Sequence, residues 1–187
     1  LGGVAIYIGF FLSQIYFIIS HQGTGHLSQP YLLLIFASAL LFFMGVLDDL
    51  VDINANLKFC IQLVVGFILV WQADVRIESF YGLFGVQTLP LWFSYLFSIT
   101  VIAFFINAYN LIDGIDSLSS SIGMYVLFCF GCVFLYNNSY LDSIITFSVF
   151  GALLGFWLYN KPPAKIFMGD SGTLSLGLLI AYFAIRT

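Results

Sequence analysis

Apolar runs of bilayer-spanning length recur along the whole of this chain, and that repetition limits its fold more than any single residue does. A helix needs about 20 apolar residues to cross the hydrocarbon layer. Backbone inside lipid must satisfy its own hydrogen bonds, which favours helices for runs of this kind. Seven spans are predicted, at 1–20, 31–47, 59–73, 91–106, 118–136, 143–159 and 173–187. The expected fold is therefore all-α, a polytopic transmembrane helical bundle forming one domain over 1–187. With 61% hydrophobic and 7% charged residues, the chain is too apolar for a soluble globular domain. Leu1-Gly2-Gly3 contains no initiator Met, and no charged segment precedes the first run. The domain is accordingly read as incomplete at both ends, with no signal peptide to be found.

Charge is rare, so its placement carries information. Six of the eight aspartates lie in three polar breaks: Asp48, Asp49 and Asp52; Asp113 and Asp116; and Asp170. An even number of spans separates the breaks, so all three are expected on one face of the membrane. That face also carries Lys58, Lys161 and Lys165, against Arg76 in an opposite loop and Arg186 at the chain end. By the positive-inside rule the shared face is cytoplasmic. Carboxylates gathered at a lipid boundary require a nearby cation. Five basic residues make no basic stripe, which argues against a nucleic-acid partner.

Each break has its own chemistry. Asp48 and Asp49 are adjacent, and helical neighbours point about 100° apart, so the two are expected to serve different partners. Lys58 could pair with one of them or hold a phosphate as a point charge. Asn107, Asn110, Asp113 and Asp116 recur every third residue, a spacing that drifts about 60° per step on a regular helix. Gly114 offers a turn within that segment; capping would account for one or two of these polar groups, not four. In the third break, Gly169 and Gly172 are expected to let the backbone approach a ligand, with free amides for phosphate. Asp170 is a hard oxygen donor suited to Mg2+.

Several other features read as structural. Cys129 and Cys132 lie within a span and are expected to be packing residues. Gly151-x-x-x-Gly155 is a pattern that permits close helix approach. His21 and His26 fall in a loop on the opposite face, too distant to join the aspartates.

Taken together, Leu1 to Ile6, Gly45 to Asp49 with Lys58 and Gln62, Asn107 to Leu118, and Pro163 to Gly177 resemble the polyprenyl-phosphate N-acetylhexosamine-1-phosphate transferase superfamily, glycosyltransferase family 4 of the WecA/MraY type. The segments follow the family's order over nearly the entire chain. The resemblance implies one transmembrane catalytic domain that moves a sugar-1-phosphate from a UDP-sugar to undecaprenyl or another polyprenyl phosphate. UMP would be released, Mg2+ would be the cofactor with Mn2+ as an alternative, and the product would start cell-envelope polysaccharide or lipopolysaccharide synthesis. The implied location is the inner (plasma) membrane, multi-pass, with a cytoplasmic site.

Residue by residue, the resemblance makes Asp48 the base acting on the acceptor phosphate, with Asp49 in support and Lys58 on phosphate. Asn110 and Asp170 become the metal side, Asn107 and Asp113 neighbours of the diphosphate, and Asp116 and Phe167 the uridine-facing pair. The short connection from Asp49 to Lys58 resembles the branch using simple UDP-N-acetylhexosamines. Asp116-Ser117 stands where the family often has Asp-Gly, and a His-bearing loop expected after the seventh span is absent. Two other classes compete: an ion-coupled transporter with a carboxylate pathway, and a purely structural scaffold. A CDP-alcohol phosphotransferase would need Asp-Gly-x-x-Ala-Arg, whereas Asp113-Gly114 continues Ile115-Asp116-Ser117-Leu118.

Overall fold

A computed structural model describes residues 2–20 and 28–187; His21 and His26 lie outside the described residues. The described residues fold into seven α-helices: α1 Gly2–Ser20, α2 Gln29–Val51, α3 Ala55–Gln72, α4 Leu91–Leu111, α5 Leu118–Tyr136, α6 Tyr140–Asn160 and α7 Asp170–Arg186. Local chemistry marks their ends. Pro30 sits in the first turn of α2, where its missing N–H costs nothing. The Asn54 side chain accepts a hydrogen bond from Asn56 N at 2.9 Å to open α3.

Among the described residues, six helices, α1 to α6, are long and apolar enough to cross a membrane. The chain is thus a multi-pass, all-helical membrane protein, but the expected count of seven spans is reached only in helices. The difference lies in α7, which has 17 residues and occupies the interior. Its segment from Ser171 to Phe183 is buried throughout, packed on α1, α2, α4 and α5. Ser175 Oγ satisfies itself within the helix by donating to Ser171 O at 2.9 Å, whereas Ser171 Oγ is buried without a hydrogen-bond partner among the described residues. Large apolar side chains such as Leu12, Phe43, Phe67 and Phe104 face outward instead, as a lipid-facing surface requires.

The breaks are shorter than expected because the helices run into them. Asp48 and Asp49 belong to the last turn of α2, Lys58 to the first turn of α3, Asn107 and Asn110 to the end of α4, and Asp170 opens α7. Only Asp52, Ile53 and Asn54 join α2 to α3, with Asp52 left-handed at φ 55°. A 3₁₀ turn, Ile112–Gly114, follows α4. Gly114 closes this 3₁₀ turn, and the left-handed residue that leads into α5 is Ser117, at φ 59°. Gly151 and Gly155 also depart from expectation: a Cβ on either would meet nothing within 4 Å, so they make no close packing within this chain. Of the cysteines, which are all free, Cys132 is exposed and Cys129 half-buried.

At the end remote from the breaks, residues 73–90 connect α3 to α4 and contain an antiparallel bridge between Ser79 and Thr88. Arg76 braces this connection by pairing with Asp74 at 2.6 Å and Glu78 at 2.8 Å. At that same end, buried Asp142 pairs with Arg186 at 3.0 Å. Both cations at this end, Arg76 in the loop and Arg186 in the last turn of α7, are therefore neutralised locally.

Candidate active site

The α2–α3 turn turns Asp48 back on its own connection. Asp48 Oδ1 accepts Ile53 N–H at 2.7 Å, and Oδ2 accepts Lys58 Nζ at 2.7 Å. The three-residue link is short enough to seat Lys58 beside a residue one helix earlier. Lys58 then reaches further, donating to Asp170 Oδ2 at 3.2 Å. The Asp48 side chain is 8% exposed, against 23% for Lys58 and 25% for Asp170. This near-enclosure weakens solvent screening and strengthens the ion pairs relative to a surface pair.

Asp170 draws in the second break. Asn110 Nδ2 donates to Asp170 Oδ1 at 2.9 Å and to Thr173 Oγ1 at 2.7 Å. Residues from α2, α3, α4 and α7 thus meet around one carboxylate, placing all three breaks at one end of the bundle.

Asp49 takes a different direction from Asp48, as helical spacing requires. Its Oδ1 accepts Asp170 N–H at 2.9 Å and its Oδ2 accepts Ser171 N–H at 3.3 Å. It thereby supplies the N-terminus of α7 with a carboxylate, which favours the helix dipole and satisfies two free amides. Asp113 Oδ2 accepts Gly169 N–H at 3.1 Å, while Ser119 Oγ donates to Asp113 Oδ1. The amides expected to hold phosphate in the third break are consequently taken by carboxylates of the protein. Gly172 packs against Gly3 and Met168, since its Cβ would lie 2.8 Å from Gly3 Cα.

Close backbone approach around α7 was the least legible part of the site. A Cβ on Gly45 would lie 2.5 Å from Asp170 O, and one on Gly3 would lie 2.2 Å from Gly172 N. Gly2 N–H and Gly3 N–H donate to Phe167 O at 3.0 Å and Met168 O at 2.8 Å. Gly45 precedes Asp48 and Asp49 by one turn, a spacing that could have identified a shared face.

The remaining expected residues divide into two positions. Asn107 exchanges amide hydrogen bonds with buried Gln62 and donates to Ala103 O at 2.8 Å. It lines an α3–α4 groove of about 380 Å³ with Phe59, Leu63, Thr100, Ala103 and Phe104. Asp116 Oδ2 accepts Ala164 N–H at 3.0 Å, tying the α4–α5 connection to the third break. Phe167 is 53% exposed and lines a cleft of about 430 Å³ with Asp49, Lys165, Ile166 and Gly169. Asp52 joins none of these contacts beyond capping α2.

Among the described residues, no group of three or more His, Cys, Asp or Glu side chains forms a metal cage. Mg2+ does not require one, because it commonly binds through one or two protein groups together with water and substrate phosphate. Asp170, with Asn110 alongside, fits that mode of binding. Both Asp170 oxygens are engaged by Lys58 and Asn110 in this arrangement, so a metal would share or replace those contacts.

The family model for glycosyl transferase family 4 matches residues 31–187. An Enterococcus hirae protein named phospho-N-acetylmuramoyl-pentapeptide-transferase is 38% identical over 165 residues, covering 82% of this chain and 50% of that protein. A Bacillus subtilis (strain 168) protein named probable undecaprenyl-phosphate N-acetylglucosaminyl 1-phosphate transferase is 31% identical over 187 residues, covering 99% of this chain and 50% of its own length. The chain spans about half the length of the curated relatives it matches. Matched over most of its length by the family model, with its three polar breaks joined at one end of a membrane bundle, this chain belongs to glycosyl transferase family 4.

Proposed function

We propose that the complete protein carrying this chain transfers a sugar-1-phosphate from a UDP-sugar to undecaprenyl or a related polyprenyl phosphate, releasing UMP at the cytoplasmic face of the plasma membrane. The observation carrying this reading is Lys58, held between Asp48 and Asp170 at 2.7 and 3.2 Å. The apolar α3–α4 groove, with Asn107 in its lining, supports an acceptor that is part lipid and part phosphate. A carboxylate pathway for transport would run through the bundle, whereas these carboxylates gather at one end. Family membership also favours transfer over transport.

In this reading Lys58 holds the acceptor phosphate, Asp48 orients Lys58 and takes a proton from the acceptor where one is present, and Asp49 supports both by fixing the α7 terminus. Asn107 and Asp113 border the diphosphate, and Asp116 and Phe167 the uridine. Asp170 and Asn110 would hold Mg2+, or Mn2+ in its place, whose chemistry is charge neutralisation of the diphosphate during phosphoryl transfer. The product would begin an envelope polysaccharide.

A UDP-N-acetylhexosamine is the preferred donor, on the short Asp49 to Lys58 connection. The similarity to a phospho-N-acetylmuramoyl-pentapeptide-transferase favours a second donor, the UDP-linked muramoyl peptide. The test is UMP release by the full-length protein in polyprenyl phosphate and Mg2+, across a panel of UDP-sugars including both. Release with one donor, abolished by Asp48→Asn and by Asp170→Asn, is expected. No release from any donor, or full activity in both variants, would overturn the proposal.

A further inference from the structure

Three lysines share the end of the bundle that carries the breaks, and only one has its charge matched by a carboxylate among the described residues. Lys58 is bound by two carboxylates. Neither Lys161 nor Lys165 has a carboxylate partner among the described residues, and both are exposed. They differ in what surrounds them. Lys165 lines the cleft of about 430 Å³ that also contains Phe167, Asp49 and Gly169, while Lys161 does not line it.

The cleft places a cation and an accessible ring together. The backbone fixes this region from several directions: Lys165 N–H donates to Tyr159 O at 2.9 Å, Ala164 N–H to Asp116 at 3.0 Å, and Gly2 N–H to Phe167 O at 3.0 Å. Asp49, the carboxylate of the cleft, is engaged by two α7 amides. These contacts occupy some of its acceptor capacity and partly offset its charge. What remains to attract a ligand is an aromatic face and an ammonium group, a combination matched by a planar base linked to phosphate.

We propose that Lys165 is a donor-binding residue that holds an anionic oxygen of the nucleoside diphosphate, setting donor affinity without entering the transfer chemistry. This rests on the UDP-sugar reading above. An ammonium on a flexible stem engages phosphate as a point charge, so its contribution should fall with added salt. Anionic lipid headgroups offer the same phosphate chemistry and are the competing source.

The test measures steady-state UMP release by the full-length protein with Lys165→Ala, Lys165→Glu and Lys161→Ala, together with equilibrium binding of UDP in detergent. Lys165→Ala is expected to raise the donor KM and the UDP Kd roughly three- to tenfold, with Lys165→Glu raising them further. Turnover at saturating donor should be unchanged, and Lys161→Ala should behave like the unaltered protein. A smaller salt dependence of UDP binding in Lys165→Ala would identify the lost contact as ionic. An active protein whose donor KM and UDP Kd are unchanged in both Lys165 variants would overturn this inference alone. So would variants altered only in binding vesicles that contain anionic lipid. No UMP release from the unaltered protein with any UDP-sugar would overturn both this inference and the reading beneath it.

Discussion

Asp49 accepts the backbone N–H of Asp170 at 2.9 Å across 121 residues of sequence. The carboxylate at the end of α2 therefore caps the helix that opens with the central carboxylate of the site. Asp49→Ala removes that cap and is expected to destabilise the protein by about 1–2 kcal/mol, read as a lower midpoint of thermal unfolding in detergent. Asp49→Asn keeps an acceptor oxygen and should lose less. If both variants unfold at the midpoint of the unaltered protein, the capping role is wrong.

Lys58 joins two carboxylates that would otherwise repel one another. If Lys58 holds the acceptor phosphate as proposed, Lys58→Met in the complete protein is expected to lower sugar-phosphate transfer by on the order of 100-fold or more, because that electrostatic contact would be lost. Turnover measured at saturating donor and acceptor checks this. Lys58→Arg retains the charge with a different geometry and should recover only part of the loss.

Gly169 combines a left-handed backbone, φ 74°, with a Cβ position 2.9 Å from Asp49 Oδ2. Gly169→Ala meets both obstacles and is expected to destabilise the protein by roughly 1–3 kcal/mol. Combining it with Asp49→Ala should cost less than the sum of the two, since the second change removes the obstructing carboxylate. A double-variant cycle of unfolding midpoints measures that difference.

Ser117 adopts φ 59° at the start of α5, at the position where the resemblance expects glycine. Ser117→Gly should relieve the left-handed strain and raise stability by about 0.5–1 kcal/mol. A lower unfolding midpoint would contradict this account of the turn.

The residues differ in how far sequence reasoning could carry them. The apolar runs disclosed the helices because lipid imposes one length and one hydrogen-bonding solution. Parity then put Asp48, Asp113 and Asp170 on one face without any contact being known. The partition of Asp48 from Asp49 was also legible, because adjacent helical residues diverge. The partners themselves were not. Asp49 meets α7 where Gly45 lets the backbones of α2 and α7 touch, and that proximity depends on packing between distant segments. The amides near Gly169 looked available for phosphate because sequence cannot show that Asp113 and Asp49 already occupy them. Gly114 does sit in the turn after α4, but the left-handed residue of that connection is Ser117, since a glycine permits a left-handed residue without requiring one. The interior role of α7 was likewise hidden, its apolar stretch resembling an ordinary span.

The burial of α7 has a consequence for biogenesis. Synthesis delivers this helix after the six that precede it, so Asp48 and Lys58 enter the membrane before Asp170 exists to meet them. The early pair holds its opposite charges together at the end of a helical hairpin, tolerable at a lipid boundary in a way that a lone carboxylate is not. In the folded chain α7 converts that two-residue ion pair into a cluster shared with Asp170.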